Sequence, residues 1–172
     1  VLALVSMPAF DNNIFSEKLT VEEYASLIND PSRPMFFRAV SGEYPPGSTF
    51  KIVMAAAGLE AKVINASSSF LSNGGIWISR WFFPDWKAGG HGRTNVKKAL
   101  SESVNTFFYI IGGGYKEFLG LGLDQINHYA KEFGLSSKLG IDLPNENDGF
   151  LPTEAWKNEV KVTKGGMGAY LY

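Results

Sequence analysis

One segment constrains this chain more than any other. From Phe50 to Leu59 every residue is uncharged except Lys51, and three consecutive alanines follow Met54. The good helix formers predict a helix, and a helix apolar on all sides is normally buried. The fold must therefore enclose this segment and find a use for its one amine. Ahead of it, Tyr44-Pro45-Pro46-Gly47 is a turn. That turn places Ser48 at or near the first helical residue. With 172 residues the chain has the length of one domain. A chain of that size buries roughly 70% of its unfolded surface, enough for a real core.

Composition removes several classes of function. Sixteen Lys and Arg against seventeen Asp and Glu leave a net charge of -1, which argues against nucleic acid as the main partner. A chain 45% hydrophobic and 19% charged is not disordered. No run of about 18 apolar residues offers a membrane span. The opening Val1-Leu2-Ala3-Leu4-Val5 lacks the basic start and the length of a signal peptide. With no Cys, disulfides, thiolate zinc sites and thiol catalysis are excluded together.

Along the chain, Val1 to Ser6 reads as a strand stopped by Pro8. Thr20 and Glu23 form a capping box that starts a short helix at Val21. Phe36 to Val40 reads as a second extended piece. The Ser67-Ser68-Ser69 cluster, two Gly pairs and scattered aromatics make 65–92 a folded loop with one strand, Ile76 to Trp81. Thr94 or Asn95 caps a helix through Leu100. A further helix runs from Thr106 to Ile111, ended by Gly112-Gly113-Gly114. An amphipathic helix from Asp124 to Phe133 closes at Gly134, and Thr153-Glu154 starts one more turn. The mixture lacks regular βαβ alternation and points to an α+β fold.

Ser48 and Lys51 carry the chemistry that such a chain can offer. Three positions apart on one helix, their side chains share a face. The helix N-terminus favours an oxyanion near Ser48. Burial disfavours the ammonium of Lys51 and lowers its pKa, which suits a general base for a serine nucleophile. On the bare motif, Ser48 as an N-cap and Lys51 as a snorkelling side chain stay open. Ser103-Val104-Asn105, the only Ser-x-Asn, interrupts two helical pieces. It reads either as a pair of caps or as a proton relay (Ser103) beside a substrate-binding amide (Asn105).

Other candidates are weaker. Asp85 and His91 are spaced as two metal ligands, too few for a zinc site, so His91 is expected to order its loop by a hydrogen bond. His128 reads as a surface or half-buried residue. Gly112-Gly113-Gly114 lacks the Lys-Ser/Thr of a phosphate loop. Asp142, Glu146 and Asp148, with Pro144 and Asn145 among them, read as a solvated turn.

Taken together, Tyr44-Pro45-Pro46-Gly47-Ser48-Thr49-Phe50-Lys51 resembles the active-site segment of class B penicillin-binding proteins, above all the elongation-type penicillin-binding protein 2. Val1 to Asp11 is similar to the strand that opens their transpeptidase domain. The stretch from Asn29-Asp30 to Arg38-Ala39-Val40 resembles the approach to the serine. Ser103-Val104-Asn105-Thr106-Phe107-Phe108-Tyr109 resembles the second motif, and Tyr129 to Gly134 and Gly140 to Pro144 are further landmarks. The resemblance covers residues 1 to about 157, with 165–172 as an atypical tail.

What it implies is a penicillin-binding-protein and serine β-lactamase-like fold, an antiparallel sheet covered by helices with the Ser48 helix at its centre. The chain would be the N-terminal portion of the transpeptidase domain, inactive without its missing C-terminal strands. Ser48 would be the acylated nucleophile, Lys51 its base, Ser103 a proton relay and Asn105 a substrate binder. The implied reaction is peptidoglycan D,D-transpeptidation in cell-wall elongation and cell shape, with acylation by β-lactams and no cofactor. Expected partners are stem peptides, a glycosyltransferase and a shape-determining membrane scaffold. The catalytic domain would lie on the periplasmic side of the cytoplasmic membrane, its anchor outside this chain. The third motif, Lys-Thr/Ser-Gly, is absent, and Lys164-Gly165-Gly166 does not replace it. Some relatives bind zinc near the second motif, but Val104 stands where a Cys ligand is expected, so no metal is expected. The alternatives are a serine β-lactamase or β-lactam sensor, and a non-catalytic wall-synthesis scaffold.

Overall fold

The structure, a computed structural model, describes residues 2–16 and 18–163. The chain forms two compact units, Val1–Pro45 with Ser137–Phe150, and Pro46–Ser136 with the described part of Leu151–Tyr172.

In the first unit, α1 (Val21–Ile28) starts at the expected capping box. The Thr20 hydroxyl accepts from the Glu23 N–H at 3.2 Å, and the Glu23 carboxylate accepts from the Thr20 N–H at 2.9 Å. That carboxylate is held below the usual range by its bonds to Thr20. Residues 2–6 form no strand, because among the described residues no neighbour hydrogen-bonds their backbone into a ladder. Their anchor is a side chain: the Ser6 hydroxyl donates to the Phe36 carbonyl and accepts the Arg38 N–H at 2.9 Å. The expected extended piece at Phe36 to Val40 is also corrected. Arg38–Ser41 is one helical turn, α2, in which the N–H groups of Val40 and Ser41 both donate to the Phe37 carbonyl. The Arg38 guanidinium donates to the carbonyls of Ser32, Arg33 and Phe36, folding 32–38 around itself. Tertiary hydrogen bonds thus override the β-preference of the aromatic pair.

The second unit holds the core. A 3₁₀ turn, Gly47–Phe50, runs into α3 (Lys51–Glu60). Two antiparallel pairs follow, β1 (Ser69–Ser72) with β4 (Gly92–Asn95), and β2 (Gly75–Ile78) with β3 (Trp81–Pro84). The single strand expected from Ile76 to Trp81 is therefore two strands of a hairpin. Its tight turn uses Ser79 at φ +53°. Trp77 faces Phe82 across the register, ring centroids 5.1 Å apart. Then come α4 (Val96–Ser101), α5 (Asn105–Gly113), α6 (Gly122–Glu132) and α7 (Glu154–Thr163). Asn95 caps α4 by accepting the Lys98 N–H at 3.0 Å.

Met54, Ala55 and Ala57 of α3 pack with Val96 and Ala99 of α4, Val104, and Phe107, Phe108 and Ile111 of α5. Phe70 of β1 stacks edge-on against Phe118 and tilts against Phe107. The three consecutive alanines let α3 approach its neighbours closely. The expected burial of this helix at the centre of the fold holds on its inner side: α3 buries Val53, Met54, Ala55, Ala57 and Gly58 as it packs on α4, α5 and α6, while Ile52 is 62% exposed. The described strands form two antiparallel two-stranded sheets. The atypical tail at 165–172, and Lys164, lie outside the described residues.

Candidate active site

The turn expected at Tyr44–Gly47 aims Ser48 into solvent. Gly47 takes φ +54°, a left-handed value that a side chain would oppose. The Thr49 hydroxyl donates to the Pro46 carbonyl at 2.6 Å and the Lys51 N–H donates to the carbonyls of Ser48 and Thr49, tightening the turn. No side chain caps this end of the helix. Ser48 is exposed, and its Oγ is free of capping duty, so the N-cap reading of Ser48 does not hold.

Lys51 does not snorkel. Its half-buried ammonium donates to the Ser103 carbonyl at 2.7 Å, to Ser103 Oγ at 3.0 Å and to Asn105 Oδ1 at 2.5 Å. All three of its donors are used. The Ser103 hydroxyl in turn donates to Ser48 Oγ at 3.1 Å. Ser48 and Lys51, expected to meet directly along the helix, are thus joined through Ser103. Ser103 itself sits at φ +53°. This strained backbone turns both its carbonyl and its hydroxyl toward the same amine. Nζ also lies 5.5 Å from the centroid of the buried Phe108 ring. Burial pushes the Lys51 pKa down, and the negative charge of Asp85 pushes partly back. The four residues singled out in the sequence therefore form one hydrogen-bonded node, 52 to 55 residues apart in the chain.

Behind this node lies a buried polar cluster that the motifs did not announce. Asp85, with no side-chain exposure, accepts hydrogen bonds from the hydroxyls of Ser72 and Thr106 and the N–H groups of Trp86, Asn105 and Thr106. Burial works to raise its pKa, but the bonds from Thr106, Asn105 and Ser72 together hold it below the usual carboxylate range. His91 orders its loop as expected: its N–H donates to Ser72 Oγ at 3.2 Å, and its Nδ1 lies 2.8 Å from Glu102 Oε2. Gly90, at φ +79°, allows this approach, because a Cβ there would strike the Ser72 carbonyl and the Gly74 nitrogen.

These residues do not fit a zinc centre. The His91 ring lies between Asp85, 3.6 Å from Nε2, and Glu102 on Nδ1, so the two carboxylates cannot converge on one ion with it. Both oxygens of Asp85 are engaged by hydrogen-bond donors, and Val104 is apolar and fully buried. A structural zinc site needs four donors around one centre. His128 is exposed on α6. Gly112 and Gly113 end α5, and Gly114 at φ +80° follows as its cap. Glu146 accepts the N–H groups of Leu139, Gly140 and Ile141, organising a loop in which Asp142 and Asp148 stay exposed.

Residues 1–171 match the family model of the penicillin binding protein transpeptidase domain. The peptidoglycan D,D-transpeptidase MrdA of Escherichia coli K12 is 39% identical over 161 residues, 92% of this chain and 24% of that protein. Penicillin-binding protein 2 of Pseudomonas aeruginosa, solved in complex with WCK 5153, superposes with a TM-score of 0.78 at 29% identity, covering 96% of this chain and 36% of that one. Penicillin-binding protein 2 of Helicobacter pylori, solved in complex with MreC, gives 0.79 at 28% identity, covering 96% of this chain and 29% of that one. The chain spans about a quarter of the length of the curated relatives it matches. A serine at a helix start, a lysine whose charged form burial disfavours, and a Ser-x-Asn corner bridging them sit on the fold these relatives share, and the chain belongs to the penicillin-binding-protein transpeptidase domain family.

Proposed function

We propose that this chain carries the nucleophile-bearing part of a peptidoglycan D,D-transpeptidase that works in cell-wall elongation. The observation that carries this reading is the continuous path from Ser48 Oγ through Ser103 Oγ to Lys51 Nζ. With Lys51 neutral, hydroxyl rotation reverses the path. The Ser48 proton then passes to Ser103 as the Ser103 proton passes to Lys51. Ser48 Oγ bonds to the carbonyl carbon of the penultimate D-Ala of a stem peptide. The C–N bond to the terminal D-Ala breaks, and the departing amine takes the proton held by Lys51. The uncapped helix start beside Ser48 favours the transient oxyanion. A second stem's amine attacks the acyl-serine, its proton returns along the same path, and Ser48 is released. Asn105, whose amide oxygen is engaged by Lys51, retains its NH₂ to donate to the substrate.

A β-lactam would acylate the same Ser48. For a β-lactamase reading, a base must activate water against that acyl group. Among the described residues no carboxylate is hydrogen-bonded to Ser48, Ser103 or Lys51, which supports transfer over hydrolysis. The relative solved with MreC supports a membrane scaffold as partner, and the family resemblance supports a glycosyltransferase and a catalytic domain on the periplasmic side of the cytoplasmic membrane. No helix among the described residues is long and apolar enough to cross a membrane. The test is intact-mass analysis of the intact protein after benzylpenicillin. One acyl group, lost in Ser48→Ala, is expected, and labelling that survives the substitution overturns the assignment.

A further inference from the structure

The start of α5 poses a problem that its own sequence does not solve. Its N-cap, Val104, has no side chain that can accept a first-turn N–H, and it is fully buried. Water is excluded and the orphan donors still need partners. They are met from the loop between β3 and β4. Asp85 Oδ1 accepts the Asn105 N–H at 3.1 Å and Oδ2 accepts the Thr106 N–H at 3.0 Å, while the Thr106 hydroxyl adds a bond of 2.7 Å to Oδ2. The carboxylate is itself fixed: Ser72 donates to Oδ2, the Trp86 N–H donates to Oδ1, and the Asp85 N–H donates to the Gly74 carbonyl at 2.8 Å. A buried anion at this end also faces the positive end of the helix dipole.

Asn105 is consequently held at both ends, its backbone N–H on Asp85 and its side-chain oxygen on Lys51. Resting on the acyl-serine reading above, we propose that Asp85 is a positioning residue for acylation: it pins the first turn of α5 so that Ser103 and Asn105 converge on the Lys51 amine. Among the groups named around Lys51, Asp85 is the one that raises its pKa, against the lowering by burial. The other titratable groups around Asp85 are His91, with Glu102 on its far nitrogen and Lys98 donating to its carbonyl, and Tyr109, whose hydroxyl pKa burial and the Asp85 charge both push up.

Asp85→Asn and Asp85→Glu in the intact protein separate the two effects. The measurements are the pH profile of second-order acylation by benzylpenicillin, hydrogen exchange of the 105–106 amides, and competitive acetic-anhydride labelling of Lys51. Asp85→Asn is expected to slow acylation roughly 10- to 100-fold, as a small misplacement of reacting groups does. It also loses a charge that favours the ammonium, so the acid limb moves to lower pH and Lys51 labels at lower pH. Asp85→Glu keeps the charge, so the limb stays while the rate falls. Unchanged rate, amide exchange and labelling in Asp85→Asn overturn the proposal, and so does a slower rate with unchanged 105–106 exchange and unchanged Lys51 labelling. If the wild type is not acylated at Ser48, the transpeptidase reading falls, while amide protection and Lys51 labelling still decide what Asp85 does. Should neither variant fold, Thr106→Val decides: slower acylation with weakened 105–106 protection supports the proposal, and unchanged behaviour overturns it.

Discussion

Two helices lie side by side in one core, and they begin in opposite ways. α5 starts against a buried carboxylate that takes two of its first N–H groups and offsets its dipole. α3 starts from a 3₁₀ turn with no side-chain cap, and the serine at that turn faces solvent. A filled helix end is an anchor, whereas an open one retains its attraction for incoming negative charge. The chain places the anchor where rigidity is needed, under Asn105, and the open end where an oxyanion would form, beside Ser48. Lys51 connects the two, rooted in the open helix and bonded to the corner before the anchored one.

The largest expected effect breaks the open end. Ser48→Ala removes the oxygen that receives the Ser103 hydroxyl bond, and acylation by benzylpenicillin is expected to vanish while the core is untouched, because Ser48 is exposed. Mass spectrometry and circular dichroism on the same sample check both halves.

Next in size is the link between the ends. Lys51→Arg keeps a positive charge but cannot give up its proton. Acylation is expected to slow by roughly 10²–10⁴-fold, the usual cost of losing a general base. The wild-type rate should rise with pH through a Lys51 pKa held below its ordinary 10.5, because only the neutral amine accepts the proton. Stability carries the same sign. Between the lowered folded pKa and the ordinary unfolded one the unfolded chain binds more protons, so stability rises with pH across that window. Equal rates for wild type and Lys51→Arg, with both folded, would move the base elsewhere.

How much of this was legible in the sequence differs between the two ends. The open end was readable, because a Pro-Pro-Gly turn, a following apolar helix and a lone lysine are local signals. Thr20 with Glu23, and Asn95 before α4, were readable for the same reason. The anchored end was not. Asp85 lies 20 residues before the N–H groups it accepts, in a loop of aromatics and glycines with no period to follow. The sequence starts this helix at Thr106 with Ser103 and Asn105 as possible caps, whereas α5 begins at Asn105 behind an apolar N-cap, Val104. The extended reading failed at Phe36 to Val40 because the side chains of Ser6 and Arg38, rather than a strand ladder, bond to the backbone of 32–38. The hairpin turn at Ser79-Arg80 carries no Gly, so two strands read as one.

The anchor itself can be weakened in a graded way. Thr106→Val keeps shape in a fully buried site and removes one hydroxyl bond to a carboxylate, expected to cost about 1.5–3 kcal/mol of stability in urea unfolding. Acid should reach the same cluster. Asp85 has a folded pKa below its ordinary 3.8, so its stabilising share is present above that value and is lost as pH falls through the folded one. A pH titration of stability should show this loss in the wild type and much less of it in Asp85→Asn. Identical acid profiles would mean that the bonds around Asp85 contribute nothing net.

The smallest effect sharpens the contrast between a cap in water and a cap in the core. Thr20 and Glu23 make a complete capping box at the start of α1, yet both residues are exposed. When the Thr20 hydroxyl is removed, water can take over the freed Glu23 N–H. No donor is stranded, so only the net value of the bond is lost. α1 buries no residue fully, so little packing depends on its first turn. Thr20→Ala is therefore expected to cost about 1 kcal/mol or less, within the usual range for losing an N-cap. It should leave acylation unchanged, because neither residue bonds to the Ser48 node. Thr106→Val removes a hydroxyl of the same kind where water cannot enter. The ratio of the two unfolding penalties thus measures what burial adds to a cap. A Thr20→Ala penalty as large as that of Thr106→Val would show that burial adds nothing to the cap at the start of α5.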